Sequence, residues 1–285
     1  MRLAGKALID RRFLVAILSR FLPSSPLAGS IEAFCFYEAD VFLPLKKELC
    51  LPNGQVAMVI NLGHDTVQVS VPPHLGQFGS FHGGVFHGAF SQASMIDPNT
   101  MVRTISICFK PGGAHTFLSM PATELTNQAV DLFSIFGTAA IYLCEQLQSA
   151  RTDDAMVSIL ERFFLARAAW EQTPHPAIAF ALDSFQAGYS ISAVTARLGM
   201  SPKRFIHLFG EAVGLTPKVF CRVQRFQEVV GRIEKGQTAH WADLALSCGY
   251  FDQAHFIHDF QSFSGLTPQA YLEQRGPYRN HVPQS

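Results

Sequence analysis

Two short segments of this chain repeat one pattern of aromatic and polar residues. One runs from Ser201 to Phe220 and the other from Asp252 to Tyr271, and F-I-H-x-F followed by Gly-Leu-Thr-Pro recurs at a spacing of 51 residues. Polar or small side chains lie between the aromatic positions: Lys203, Arg204, Ile206 and His207 in the first segment, and Gln253, Ala254, His255 and His258 in the second. Lys can donate to guanine, Gln can pair with adenine, and Ile or Ala can pack on a thymine methyl group. These residue types therefore have the chemistry needed to recognise base-pair edges.

Each segment carries the signals of one helix. Ser201 and Asp252 are good N-cap residues because their side-chain oxygens can accept from amides of the first turn. Gly214 and Gly265 are placed to end the helices, as glycines after a last turn commonly do. Apolar residues recur at helical spacing in both copies, namely Phe205, Leu208 and Phe209, and Phe256, Phe260 and Phe263. We therefore expect these apolar side chains in a core and the polar ones on an exposed face.

A shorter helical stretch with a glycine turn precedes each segment. Ile191–Met200 leads to the first and Trp241–Phe251 to the second, with Gly199 and Gly249 at the turns. Helix, short glycine turn and helix is the helix-turn-helix pattern, in which the second helix is free to enter a DNA groove. The two upstream stretches align with an offset of about one residue.

The residues between the two units, Pro217–Gly236, keep a helical apolar pattern. They predict one long helix that fixes the separation of the units. Such a spacer suits two reading helices that must reach major-groove segments about 34 Å apart. Arg222 and Arg225 on this helix are candidate phosphate contacts, as are Arg275 and Arg279; ordinary surface arginines are the equally weighted alternative.

The region from about Ile178 to Tyr271 resembles the DNA-binding domain of AraC-type transcription regulators. The resemblance rests on the two units, the linking helix, the A-L-x-C-G-Y-x-D-Q-x-H-F run from Ala245 to Phe256, and G-L-T-P-x-x-Y. It implies base reading by Lys203, Ile206 and His207 in the first unit, and by Gln253, Ala254, His255 and His258 in the second. Many members have Arg where this chain has His207 and His258, so contacts there are expected to be weaker. The alternative is that these histidines are merely solvated.

Charge supports a localised interface with DNA rather than one that involves the whole chain. The 285 residues carry 22 basic and 22 acidic side chains, whereas from His175 onward there are 10 basic and 8 acidic ones. A net charge of +2 in that part predicts a salt-sensitive but modest affinity for DNA.

Between about Ser30 and Leu118, short apolar or alternating runs broken by Gly, Pro and Asn predict strands of a β-sandwich or barrel-like sheet. The runs at Phe21–Phe34, Leu51–Gly63 and Phe109–Leu118 resemble the β-rich N-terminal domain of one group of AraC-type regulators. By analogy, such a domain would sense a small molecule, dimerise, or do both. Helices are predicted over Ala122–Gln128, Gly137–Ser149 and Asp153–Trp170, and Pro174-His175-Pro176 marks a break.

Other candidate sites in the sequence rest on weaker signals. Six scattered cysteines predict reduced, buried thiols, with a redox-sensing pair as the minor alternative. His82, His87, His115 and Cys108 form a weak candidate metal cluster. The run from Phe109 to Gly113 could cradle an anion, although a tight turn is the commoner explanation. Arg11–Leu22 has too short an apolar core for an export signal, and we expect either an amphipathic helix or an extension from an upstream start.

The sequence thus predicts an α+β protein with three parts: an extension at 1–20, a β-rich sensory or dimerisation domain with following helices at 21–173, and an all-α domain of two helix-turn-helix units at 174–285. We expect a cytoplasmic regulator that binds double-stranded DNA, is not an enzyme, and needs no cofactor, metal or membrane. A small-molecule effector, a second copy of the chain and RNA polymerase are further expected partners. The competing hypotheses are an enzyme or redox- or metal-sensing domain fused to a DNA-binding domain, and a first half that only dimerises.

Overall fold

The computed structural model describes residues 5–11, 14–41, 45–169, 175–237, 240–276 and 278–284. Within these ranges the strands are β1 Gly5–Arg11, β2 Leu14–Phe21, β3 Ile31–Val41, β4 Glu48–Cys50, β5 Ala57–Asn61, β6 Thr66–Ser70, β7 Gly79–His82, β8 Gly84–His87, β9 Ser94–Ile96, β10 Arg103–Phe109, β11 Ala129–Asp131 and β12 His281–Pro283. The α-helices are α1 Leu132–Phe136, α2 Thr138–Ser149, α3 Asp153–Leu165, α4 Pro176–Gln186, α5 Ile191–Leu198, α6 Pro202–Val213, α7 Pro217–Glu234, α8 Trp241–Ser247, α9 Gln253–Ser264 and α10 Pro268–Gln274.

The strands form two antiparallel sheets. The larger has the order β1-β2-β3-β10-β5-β8-β11, and the smaller has the order β12-β4-β9-β6-β7. Apolar and polar residues alternate along β10, so that one face of the strand points into the core. Ile105, Ile107 and Phe109 are buried, whereas Ser106 and Cys108 between them are half-buried. Valines from both sheets, Val59 and Val85 with Val67 and Val69, make a small core of their own. The expected β-rich architecture is confirmed.

The main core lies on the other face of the larger sheet. Phenylalanines of the sheet, such as Phe86 and Phe109, pack there with helices α2 and α3. The same cluster continues into the first helix-turn-helix unit through Phe205, Phe209 and Phe220. A separate cluster holds α7, the second unit and three-residue strands of the smaller sheet. The two halves of the chain therefore share buried surface.

Three sequence predictions for the first half need correction. The prediction of an amphipathic helix over Arg11–Leu22 is wrong, because Leu14–Phe21 forms strand β2, and every residue of β2 pairs with β3. Strand β2 also extends one residue past the predicted boundary at residue 20. The helix over Ala122–Gln128 is a 3₁₀ turn over Ala122–Leu125, since Asn127 takes a left-handed φ of 56°. Helix α3 ends at Leu165, five residues before the predicted end at Trp170. Trp170 and residues 171–174, which include the predicted domain boundary, lie outside the described residues.

The remaining helix predictions agree with the structure. Helix α2 covers the predicted Gly137–Ser149 segment, and α7 runs unbroken over 18 residues of the predicted linking helix. At about 1.5 Å per residue this helix is about 27 Å long. Among the described residues, no helix is long and apolar enough to cross a membrane.

Candidate nucleic-acid interface

The first candidate reading helix, α6, is positioned by its cap and by its aromatic stripe. The side chain of Ser201 accepts from the backbone N–H of Arg204 at 3.3 Å. Phe205 and Phe209 are fully buried, which fixes the rotation of the helix. Lys203, Arg204, Ile206 and His207 consequently lie on the exposed side, with Ile206 44% exposed. The face predicted from the sequence is present.

The second candidate reading helix, α9, is built in the same way. Asp252 accepts from the backbone N–H of His255 at 2.7 Å, and Phe256 and Phe260 are fully buried. Gln253, Ala254, His255 and His258 are exposed. The structure therefore brings four predicted side chains to the surface of each unit.

Glycines make the turns that join the helices of each unit. Gly199 and Gly249 precede the reading helices with φ values of 62° and 78°, and Gly214 and Gly265 follow them with 85° and 72°. These left-handed values are accessible to glycine without strain. The predicted turn and end positions are confirmed.

Arg222, a predicted phosphate contact on α7, is bound to a partner that the sequence did not indicate. Its Nη2 lies 2.6 Å from Oδ1 of Asp259, and its Nε donates to Oδ2 at 3.3 Å. The hydrogen bond to Asp259 raises the pKa of Arg222. Because Asp259 is only 2% exposed, the pair ties the linking helix to α9. A phosphate contact by Arg222 stays a prediction, and the guanidinium already has a structural role.

The other candidate arginines differ in how far they are engaged. Arg225 lies over the ring of Tyr250 at 5.1 Å and is half-buried. Arg275 donates to the carbonyl of Ile233 at 3.1 Å, and Arg279 donates to the carbonyl of Gln227 at 3.2 Å. Arg275 and Arg279 therefore hold the segment after α10 against the linking helix.

Acidic side chains flank the exposed histidines. Nε2 of His207 lies 3.4 Å from Glu211, one turn further along α6. Nε2 of His255 lies 3.8 Å from Asp259, and Nδ1 of His258 lies 4.0 Å from the same residue. Each of these three imidazoles therefore has a carboxylate within 4.0 Å.

The β-rich half supports the first unit directly. The hydroxyl of Thr126 donates to the carbonyl of Gly214 at the end of α6. Gly210 has no side chain where α6 crosses the 3₁₀ turn, and a Cβ there would lie 3.1 Å from Thr123. The position of α6 is therefore coupled to the larger sheet through this turn.

A second contact joins the β-rich half to the linking helix. Strand β12 pairs with β4, so that His281 faces Cys50 and Val282 faces Leu49. The side-chain amide of Gln227 on α7 donates to the carbonyl of Pro52 at 2.8 Å. The smaller sheet thus includes a strand from beyond the second helix-turn-helix unit, which no local pattern in the sequence indicated.

The weaker candidate sites receive little support. Within the described ranges, no group of three or more His, Cys, Asp or Glu side chains could hold a metal ion. In the candidate anion cradle, the amide of Lys110 donates to Ser30 and that of Gly113 donates to Lys110, as in a tight turn. All six cysteines are free, and five of them are half-buried rather than buried as predicted. A side-chain hydrogen bond with Cys108 lowers the pKa of Cys35, so these two thiols are neighbours.

Comparison with known proteins identifies the helical region. Residues 194–274 match a family described as a helix-turn-helix domain, which covers both units and α7. This part of the chain is a helix-turn-helix domain. Residues 19–131 match a family described as a domain of unknown function, DUF6597. The helix-turn-helix domain therefore follows a β-rich domain whose family description states no activity.

One curated relative is similar over part of the chain. It is an uncharacterized HTH-type transcriptional regulator from Haemophilus influenzae, 27% identical over 131 residues. The match spans 41% of this chain and 44% of that protein.

The chain also aligns with solved structures. ToxT from Vibrio cholerae aligns with a TM-score of 0.44 at 9% identity, over 81% of this chain and 95% of that one. A probable AraC family transcriptional regulator from Rhodopseudomonas palustris aligns with a TM-score of 0.32 at 25% identity, over 36% of this chain and all of the other.

Proposed function

We propose that this chain is a sequence-specific DNA-binding transcription regulator whose two helix-turn-helix units read adjacent major-groove segments. One observation carries the proposal: two capped helices, each buried on its aromatic side, present matching polar faces and are joined by an unbroken 18-residue helix. A rigid spacer of this kind suits two segments about one helical turn apart. Such a protein would act in the bacterial cytoplasm, where the chromosome lies.

The proposed reading side chains divide by chemistry. Lys203 would donate to guanine, Gln253 would pair with adenine, and Ile206 and Ala254 would contact thymine methyl groups. Arg204, His207, His255 and His258 would supply hydrogen bonds to bases or phosphates, and Arg225 would contact a phosphate. Phosphate contacts position the protein, whereas base contacts select the sequence.

Selection from a random duplex pool tests this proposal. The full chain, at fixed moderate salt, should enrich a motif with two conserved segments about 10 base pairs apart. A variant carrying Lys203→Ala and Gln253→Ala, both at exposed sites, should fold normally but lose preference in both segments. Enrichment of no motif by the wild-type chain, or of an identical motif by the variant, would overturn the proposal.

A small-molecule effector is the proposed control signal, and a cleft between the two halves is its proposed site. The cleft has a volume of about 1630 Å³ and is lined by Glu32 and Lys110 from the β-rich half, and by Asp183, Tyr189 and Arg225 from the helices. A ligand bound there would touch both halves at once. It would change DNA affinity only to the extent that it binds the DNA-competent arrangement differently from the other arrangements.

Metabolites that stabilise the chain against thermal unfolding would be candidate effectors. Saturation to about 100 times Kd should add about 2.7 kcal/mol to the free energy of unfolding. A true effector must also change affinity for the selected duplex. Stabilisation with no change in DNA affinity would contradict effector control through this cleft.

A second copy of the chain and RNA polymerase complete the proposed set of partners. Phe133, Ile141 and Tyr142 on α1 and α2 are each about half exposed and give the β-rich half an apolar surface suited to self-association. Sedimentation of the wild-type chain and of Tyr142→Glu should show a dimer and a monomer, respectively. A monomeric wild-type chain at micromolar concentration would contradict dimerisation.

A further inference from the structure

Phe251 lies in the turn that leads into the second reading helix and is 86% exposed. It immediately precedes Asp252, the residue that caps α9. Among the residues that the structure describes, it is the most exposed large apolar side chain. The neighbouring positions Gln253 and Ala254 belong to the proposed base-reading face.

Comparison of the two units explains why this ring is free. In the first unit, one residue, Met200, separates the left-handed Gly199 from the cap Ser201. In the second unit, both Tyr250 and Phe251 separate Gly249 from Asp252. The second turn therefore contains one additional residue, which is the one-residue offset visible in the repeat.

The residue directly after each glycine packs inward. Met200 is half-buried and contacts the core of the first unit. Tyr250 is 3% exposed, and its ring lies edge-on to Phe256 at 5.5 Å between centroids. An apolar residue before the cap commonly packs on the fourth helical residue in this way. In the second unit Tyr250, two residues before the cap, makes this contact with Phe256, so Phe251 directly before the cap is not needed for packing.

We propose that Phe251 determines specificity by packing against a thymine methyl group in the segment read by the second unit. The inference rests on the proposed function. The N-terminal residues of a recognition helix are those that approach base edges, and Phe251 precedes that terminus by two residues. Phenylalanine makes apolar contacts to the thymine methyl group. The first unit has no residue equivalent to Phe251, so this contact makes the two segments of the site unequal.

The test uses the full chain and the duplex that it selects from a random pool. Phe251→Ala should weaken binding to that duplex about tenfold, with the salt dependence unchanged because an apolar contact releases no counterions. Its thermal midpoint should equal that of the wild-type chain, since the ring is exposed. Leu246→Ala is the matched control, because this 59% exposed side chain lies on α8 of the same unit. It should bind as the wild-type chain does.

Deoxyuridine, which lacks the methyl group, locates the contact when it replaces thymidine one position at a time. The wild-type chain should lose affinity at one thymidine of the second segment, and Phe251→Ala should be insensitive at that position only. The inference would be overturned if Phe251→Ala bound the selected duplex as tightly as the wild-type chain, or if Leu246→Ala lost as much affinity as Phe251→Ala. It would also be overturned if Phe251→Ala remained as sensitive to deoxyuridine as the wild-type chain at every position. Failure of the wild-type chain to select any motif would instead overturn the proposed function.

Discussion

Nδ1 of His281 lies 2.7 Å from Oε2 of Glu48 and 3.9 Å from the thiol of Cys50. His281 belongs to β12, which follows the second helix-turn-helix unit, whereas Glu48 and Cys50 belong to β4 of the β-rich half. The ring of Tyr278 also faces the imidazole, at 6.2 Å between centroids. An ionisable cluster therefore lies where the two halves of the chain pair as strands.

This cluster predicts a pH dependence of stability. Burial by itself would lower the pKa of His281, but its interactions with Cys50 and Glu48 outweigh burial and raise it from 6.5 to about 10. A pKa that is higher in the folded chain gives a stabilisation that is complete below about pH 6.5 and is lost as pH rises toward 10. The wild-type chain should therefore unfold at a higher temperature than His281→Gln at pH 6, and the difference should vanish near pH 10. A difference that does not change between these pH values would contradict the pairing.

Arg222 and Arg225 should differ in their effect on stability, although they lie one turn apart on α7. Arg222→Ala leaves the carboxylate of Asp259 buried without its bidentate partner, and should lower the free energy of unfolding by about 3 kcal/mol. Arg225→Ala removes only the contact with the ring of Tyr250 and should lower it by about 1 kcal/mol or less. Urea unfolding of both variants measures the difference. Equal losses would show that the Arg222–Asp259 pair does not stabilise the domain.

Gly113 should tolerate no side chain. A Cβ there would lie 2.0 Å from the carbonyl oxygen of Ser30, which also accepts from the amide of Lys110. Gly113→Ala should cost about 3 kcal/mol, since backbone must move to relieve the overlap. Gly29→Ala is the control, because no atom would lie within 4 Å of the added Cβ and the φ of Gly29 is not left-handed. Similar thermal midpoints for the two variants would contradict the close approach at Gly113.

The exposed histidines should contribute to DNA affinity. His207→Ala and His258→Ala should each weaken binding to the selected duplex about three- to tenfold while leaving thermal stability unchanged. Titrations at constant salt measure this. Unchanged affinity in both single variants would show that these histidines are solvated and do not read DNA.

The second half of the chain could be predicted from sequence because its signals are local. Ser201 and Asp252 cap their helices as predicted, and the glycine turns and the aromatic stripes lie where the repeat places them. Each of these features depends on residues within a few positions of one another. Local hydrogen bonding and helical period were sufficient to locate the exposed polar face of each helix.

What the sequence did not predict depends on distant partners. Asp259 is 37 residues from Arg222, and Glu48 is 233 residues from His281. A three-residue strand such as β12 has no period of its own, and its pairing depends on the edge that β4 offers. The sequence repeat does show the one-residue offset that places Phe251 in the turn. That Phe251 is exposed could be seen only from the structure, in which Tyr250 packs on Phe256 instead.

The spacing between the two DNA segments tests the central claim most directly. Five base pairs inserted between the segments of the selected motif would rotate one segment by about half a turn relative to the other. Because α7 holds the two reading helices at a fixed separation, only one of them could then dock, and affinity should fall at least about 100-fold. Undiminished binding to the lengthened duplex would contradict the account of two rigidly joined reading helices.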